Sequence, residues 1–226
     1  MSQPATHRLE TALLTAAALA AFAFNSILTR LALGRGLIDA AGFTAVRLAA
    51  GALVLALLVR REAGSWRPLR WPGPAAPAAL FAYAAPFSFA YLRLGAAAGS
   101  LALFGTVQLS MIGWGVAHGE RPGARSWLGP LLAAIGLSAL TLPAARAPDP
   151  IGLLLMLVAG VAWAAYSLQG QRTSDPLAAN ARAFLWSLPL ALPLAAATSG
   201  SAAWTSRGVL LAATSGAVTS GLGYAV

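Results

Sequence analysis

Asp39-Ala-Ala-Gly-Phe-Thr-Ala-Val-Arg47, followed by an uncharged run to Val59, is the stretch that decides how the chain is read. It sets one arginine inside an apolar segment long enough to cross a bilayer, where a cation is costly and needs either a task or a partner. At the helical rise of about 1.5 Å per residue, Arg47 lies about 12 Å beyond Asp39, near mid-depth. The two cannot pair within one helix, so Arg47 must find its partner elsewhere. A fainter copy of the pattern, Asp175-Pro-Leu-Ala-Ala-Asn-Ala-Arg182, recurs later in the chain. Two arginines in matching places point to a duplicated architecture.

Composition sets the class. Of 226 residues 58% are hydrophobic and 9% charged, and the mean hydropathy is +0.72. These values lie outside the range of a soluble domain and describe an all-α, polytopic transmembrane bundle. The net charge is +9 and every basic residue is arginine. In a soluble protein such a charge points to nucleic acid. Here the arginines sit singly between apolar runs, so the charge is topological and no nucleic-acid partner is expected. There is no cysteine and there are only two histidines, His7 and His118, which leaves no basis for disulfides, thiolate metal sites or a His-rich centre. No cofactor is expected. The first apolar run continues to Leu33, too long for a signal-peptide core, and reads as a retained span.

About eight spans follow in order. Span 1 runs from Leu9 to Leu33 with Asn25 as its one strongly polar interior residue, and span 2 from Asp39, suited to an N-cap, to Val59. The segment Arg60 to Pro74 carries Arg60, Arg61, Arg67 and Arg70 and marks the cytoplasmic side. Span 3, Ala75 to Leu94, contains Tyr83 and an expected kink at Pro86. Span 4, Ser100 to Ala117, is rich in small and polar residues, including Gln108, and is expected to be surrounded by protein, with Gly115 and Gly119 spaced for close helix approach. Span 5 runs from Ser126 to Leu142, and Pro143 to Pro150 forms a loop with Arg146 and Asp149. Spans 6, 7 and 8 cover Ile151–Leu168, Pro176–Ala197 and Gly208–Val226. The arginine asymmetry places the N-terminus in the cytoplasm, in a multi-pass protein of the bacterial inner (plasma) membrane.

Aligning the two arginines brings other positions into register. Phe22-Ala-Phe-Asn-Ser-Ile27 falls on Trp163-Ala-Ala-Tyr-Ser-Leu168, Asp39 on Asp175, and Arg47 on Arg182 within a one-residue shift. A unit beginning at span 1 and again at span 6 holds five spans. An odd number forces the second copy to enter the membrane from the opposite side, the inverted-repeat plan of many secondary transporters.

On these residues the chain resembles the drug/metabolite transporter superfamily, EamA type. The matching motifs are the Asn25-containing first span, the Asp39…Arg47 second span and Gly119-Glu120-Arg121-Pro122 at the end of span 4. The resemblance implies a ten-helix carrier of two inverted five-helix repeats. Residues 9–142 form the first repeat, and 150–226 form a second that is incomplete at three helices, as in a chain truncated after the eighth. One departure is Val107, beside Gln108, where the family often has proline.

The candidate cavity residues are Asn25, Arg47, Tyr83, Gln108, Tyr166 and Arg182. Each arginine has two readings, a structural tie between helices or an anion-binding or gating group. Asn25 and Tyr166 lean toward interhelical hydrogen bonding, and Tyr83 toward packing. Asp39, Glu120, Asp149 and Asp175 all fall at span ends, so no buried carboxylate is available for a proton relay. No nucleophile–base pair or phosphate-cradling loop points to an enzyme. The expected function is a permease or exporter of small metabolites such as amino acids, working by alternating access. The alternative is a non-transporting membrane scaffold or inactive truncated gene product. The expected partners are the lipid bilayer, a small solute and a possible second copy in a homodimer.

Overall fold

The structure, a computed structural model, describes residues 5–66, 69–141, 148–198 and 204–223. The expected roles of Arg67 and of the Arg146 loop, and the last three residues of the eighth span, lie outside these. The described residues form eight helices and no strand: α1 (Ala5–Leu33), α2 (Ala40–Ala63), α3 (Ala75–Ala90), α4 (Ala96–Ala117), α5 (Leu128–Thr141), α6 (Pro150–Gly170), α7 (Pro176–Thr198) and α8 (Ser206–Thr214). A 3-10 turn, Ala124–Trp127, precedes α5, and a π-helical segment, Ser215–Leu222, continues α8.

Helix starts are set by short polar side chains. Asp39 Oδ1 accepts from the Gly42 amide at 2.7 Å, Asp149 Oδ1 from Gly152 at 2.7 Å and Asp175 Oδ1 from Ala178 at 3.0 Å, while Thr205 caps α8 through Gly208. Each satisfies an amide that the first helical turn leaves without a backbone partner. Five helices, the described parts of α1, α2, α4, α6 and α7, are long and apolar enough to cross a membrane, and α3 is apolar but only 16 residues. Large apolar side chains such as Leu19, Leu132, Leu154 and Leu210 are exposed around the circumference. A surface of this kind suits lipid rather than water, and the fold is an all-helical membrane bundle.

α2 is the central helix. It packs along α7, α3, α8 and the π segment, while α6 packs between α3 and α4. Close approach is made at glycines. A Cβ on Gly216 would collide with the Arg47 carbonyl, and one on Gly51 would come within 2.6 Å of the Phe184 ring. The connectivity puts residues 34–39, 91–95, 149 and 204–205 on one rim. They are tied there by Trp204 Nε1 donating to Asp39 Oδ2 at 2.6 Å, by the Thr205 amide donating to the Leu37 carbonyl at 3.0 Å, and by the Arg93–Asp149 salt bridge at 3.3 Å. The other rim holds Arg60, Arg61, Arg70, Arg121, Arg125 and Arg172.

Four local expectations are corrected. α3 ends at Ala90 rather than Leu94, and Arg30 Nη1 donates to the Tyr91 carbonyl at 2.7 Å, which satisfies the early end. α4 is not enclosed: Gly99, Ala102, Leu103 and Gly115 are its buried residues, because only one face meets α6 and α5. Gly119 is not a packing position but a turn residue at φ 87, just past the helix end. Span 8 is not uniformly α-helical either. Its second half widens into a π turn that brings Gly216 onto α2.

Gly216→Ala is expected to destabilise the bundle by about 1–3 kcal/mol through overpacking. Gly113→Ala, where a Cβ meets nothing within 4 Å, is expected to be neutral or stabilising by up to ~1 kcal/mol. Thermal unfolding of both variants in detergent checks the contrast; equal melting temperatures would show that the α2 contact is looser than described.

Candidate functional site

Two turns beyond its Asp39 cap, α2 carries Arg47 into the centre of the bundle, where it is 1% exposed. Its guanidinium lies over the rings of Tyr83 at 5.2 Å and Phe87 at 4.9 Å, both on α3. Nε and Nη1 are buried and make no hydrogen bond. The Tyr83 hydroxyl sits beside both Arg47 and Asn25. Asn25 in turn joins α1 to the last helix: its Oδ1 accepts from Ser215 Oγ at 2.6 Å and Thr219 Oγ1 at 3.2 Å. Nearer the capped rim, Thr44 Oγ1 donates to Ser88 Oγ at 2.7 Å. The result is a buried polar centre drawn from α1, α2, α3 and the π segment.

Magnitudes show why this centre is unusual. A buried ion that lacks a counter-charge costs several kcal/mol even after relaxation. An aromatic face returns about 2 kcal/mol or more when desolvated, so the two rings offset a share of the cost of Arg47 but supply no counter-charge. None of the acidic side chains described compensates it. Asp39, Asp149 and Asp175 cap helices at the rims, and Glu62 and Glu120 are exposed.

An aromatic wall stands behind the arginine. Trp163 of α6 packs on Tyr83 at 4.5 Å, on Phe22 at 5.0 Å edge-on and on Phe104 at 6.1 Å. On its far side α4 and α6 diverge toward the arginine-rich rim. A cavity of about 300 Å³ opens there, lined by Ser110, Trp114, Ala164 and Arg172 among others, with another of about 430 Å³ around Glu120, Arg121 and Gln171. A cleft of about 340 Å³ at the α6–α7 turn is lined by Tyr166 and Asn180, and one of about 250 Å³ on the opposite rim by Asp39 and Phe89. None of the four is lined by Arg47. Around Arg47 itself the described side chains pack into a polar core.

The six sequence candidates therefore divide. Asn25, Arg47 and Tyr83 come together. Tyr166 is elsewhere, donating to Asn180 Oδ1 at 2.6 Å across α6 and α7. Arg182 is half-buried on α7, the helix that packs along α2. Gln108 does not join them: it is exposed and lies against Gly129 of α5, where a Cβ would meet the end of its side chain. Sequence reasoning missed Thr44, Ser88, Ser215, Thr219 and Trp163. The hydroxyl residues carry no distinguishing signal in an apolar run, but Trp163 had one, since it aligns with Phe22, the ring it touches.

Comparison with known proteins places the chain. It is 48% identical over 218 residues to Uncharacterized protein PA1977 of Pseudomonas aeruginosa, a match covering 96% of this chain and 75% of that protein. No protein-family model and no solved structure matches it.

Replacing Arg47 by methionine separates a tie from a site. A group that only burdens the core is dispensable for folding, so Arg47→Met is expected to be neutral or to raise stability by on the order of 1–4 kcal/mol. Melting in detergent reads this directly. A loss of several degrees would identify the arginine as a structural tie.

Proposed function

The chain belongs to the family of that Pseudomonas aeruginosa protein, and we propose that it is a permease that carries small metabolites across the bacterial inner membrane by alternating access, with Arg47 in the path. The observation that carries this reading is the Arg47 centre itself: a charge buried without a counter-ion, among hydroxyls and aromatic rings, where several helices meet. Stability alone does not favour such a residue, whereas solute binding does.

The pattern of helix contacts supports an inverted repeat of the EamA kind. Exchanging α1, α2 and α3 with α6, α7 and α8 turns the α3–α6 contact into α8–α1 and the α3–α7 contact into α8–α2, and both members of each pair occur. The α2–α7 contact maps onto itself, as it would with a pseudo-two-fold axis between the two arginine-bearing helices. Phe22 and Trp163, aligned in sequence, meet at 5.0 Å as residues beside such an axis should. Asp39 and Asp175 cap the equivalent helices from opposite rims. In this reading all eight helices cross, with α3, α5 and the α8–π unit as the short members, and the arginine-rich rim and the N-terminus are cytoplasmic.

The two rims then have different roles. The Asp39–Trp204, Leu37–Thr205 and Arg93–Asp149 links hold one side shut, while the cavities between α4, α6 and α7 open the other. Trp163 and Tyr83 form the partition between these clefts and Arg47. The π segment supplies a wide, weakly bonded turn where α8 can bend. A scaffold that moves nothing is the second reading, favoured by the fact that none of the four cavities described above is lined by Arg47.

Flux decides between them. Liposomes holding the protein are expected to take up at least one solute from a labelled panel of amino acids and organic acids. Arg47→Gln should lower that uptake at least tenfold with normal insertion, and Gln108→Ala should leave it unchanged. Absence of uptake for the whole panel, or full uptake by Arg47→Gln, would contradict the carrier reading.

A further inference from the structure

We infer that the Arg47 centre takes a monovalent organic anion, a carboxylate on an aromatic or apolar body, in preference to a zwitterion or a cation. This rests on Arg47 being the solute site of the proposed carrier, and it narrows the solute by three observations.

The first is charge balance. Arg47 is 1% exposed and its Nε and Nη1 are unpartnered. The described acidic residues lie at helix ends or are exposed, so the centre carries one uncompensated positive charge. One carboxylate neutralises it, and charge-assisted hydrogen bonds to the two donors satisfy them.

The second is the supply of acceptors. A zwitterionic amino acid also needs a home for its ammonium. Asn25 Oδ1 already receives hydrogen bonds from Ser215 and Thr219, which occupies its two lone pairs. Thr44 and Ser88 are bonded to each other, and each hydroxyl also donates to or lies on its own helix's carbonyl. The centre is short of acceptors and has donors to spare, the composition of an anion site.

The third is the wall. Tyr83 and Phe87 face the guanidinium, Trp163 backs Tyr83 at 4.5 Å, and Phe22 and Phe104 flank Trp163. A flat apolar body can replace one of these ring contacts as the helices part, stacking where Trp163 now packs. An inorganic anion gains nothing from that wall, so the body of the solute and not only its charge contributes to binding.

Equilibrium dialysis of the intact protein in detergent against radiolabelled benzoate tests the inference, with unlabelled benzamide, benzylamine, phenylalanine and chloride as competitors. Saturable benzoate binding is expected, with benzamide, benzylamine and phenylalanine each at least tenfold weaker and chloride unable to displace it at equal concentration. Arg47→Gln should abolish binding while keeping a cooperative melt. Where that variant does not fold, Arg47→Lys decides: binding at least tenfold weaker supports the inference and unchanged binding overturns it. No saturable benzoate binding, benzamide equal to benzoate, or displacement by chloride would each overturn it, the last by showing a site for any small anion. The two levels remain separable in the same preparation. Flux of another solute without benzoate binding sinks the anion inference alone, whereas benzoate binding with no flux of any solute sinks the carrier reading and leaves the anion site standing.

Discussion

A guanidinium buried at the centre of an apolar bundle constrains everything placed around it. Arg47 is buried, has no carboxylate near it among the described side chains, and sits against two aromatic faces that offset only part of its desolvation. The surrounding helices cannot be arbitrary under that load. Tyr83 and Phe87 must be presented by α3 at the right height, and α2 must be held in position from its capped end. The Asp39 carboxylate does the latter. It caps α2 through Gly42 and receives Trp204 Nε1 and Thr198 Oγ1 from the other half of the chain. The cap that begins the arginine helix is therefore also a clasp between the two halves.

The backbone on the other side of Arg47 meets an equally tight limit. Gly216 lies against the Arg47 carbonyl and Gly51 against Phe184, so the last helix and α7 approach α2 more closely than any side chain would allow. Such packing is rigid along the contact. Movement, in the carrier we propose, then falls to the wide π turn and to the cleft side of the bundle, where α4, α6 and α7 leave open space. The two rims differ accordingly: one is tied by side chains beside a cleft of about 250 Å³, and the other has larger cavities and is rich in arginine.

Much of the fold could be read from the residues, because helix starts have local chemistry. Asp39 reads as a cap from its place before an apolar run, and Asp175 follows from the match with it; the structure pairs each with the amide three residues on. The five long apolar helices are equally legible, since their signal is length and hydropathy. Helix ends were harder. α3 stops at Ala90, and the carbonyl of the next residue, Tyr91, is taken up by Arg30 sixty-one residues before it, a tertiary fact no local window contains. For the site, Arg47 was conspicuous as a charge and Asn25 as an amide, and they lie together. Gln108 looked equivalent by type and depth, but it is exposed and lies against Gly129 of α5. Ser215 and Thr219 were invisible, since a hydroxyl in an apolar run differs little from alanine until its partner is known.

Thiol accessibility at Ser88 tests alternating access to this core most directly. The chain has no cysteine, Ser88 is fully buried and bonded to Thr44 one turn before Arg47, and Ser88→Cys changes little in volume. Membrane-impermeant maleimide is applied to sealed vesicles of each orientation, with Arg35→Cys and Arg172→Cys as controls for the two rims. Labelling of the core thiol from both sides, each slower than its rim control, is the result predicted. A core thiol that stays unreactive from both sides while the rim controls label would contradict the account.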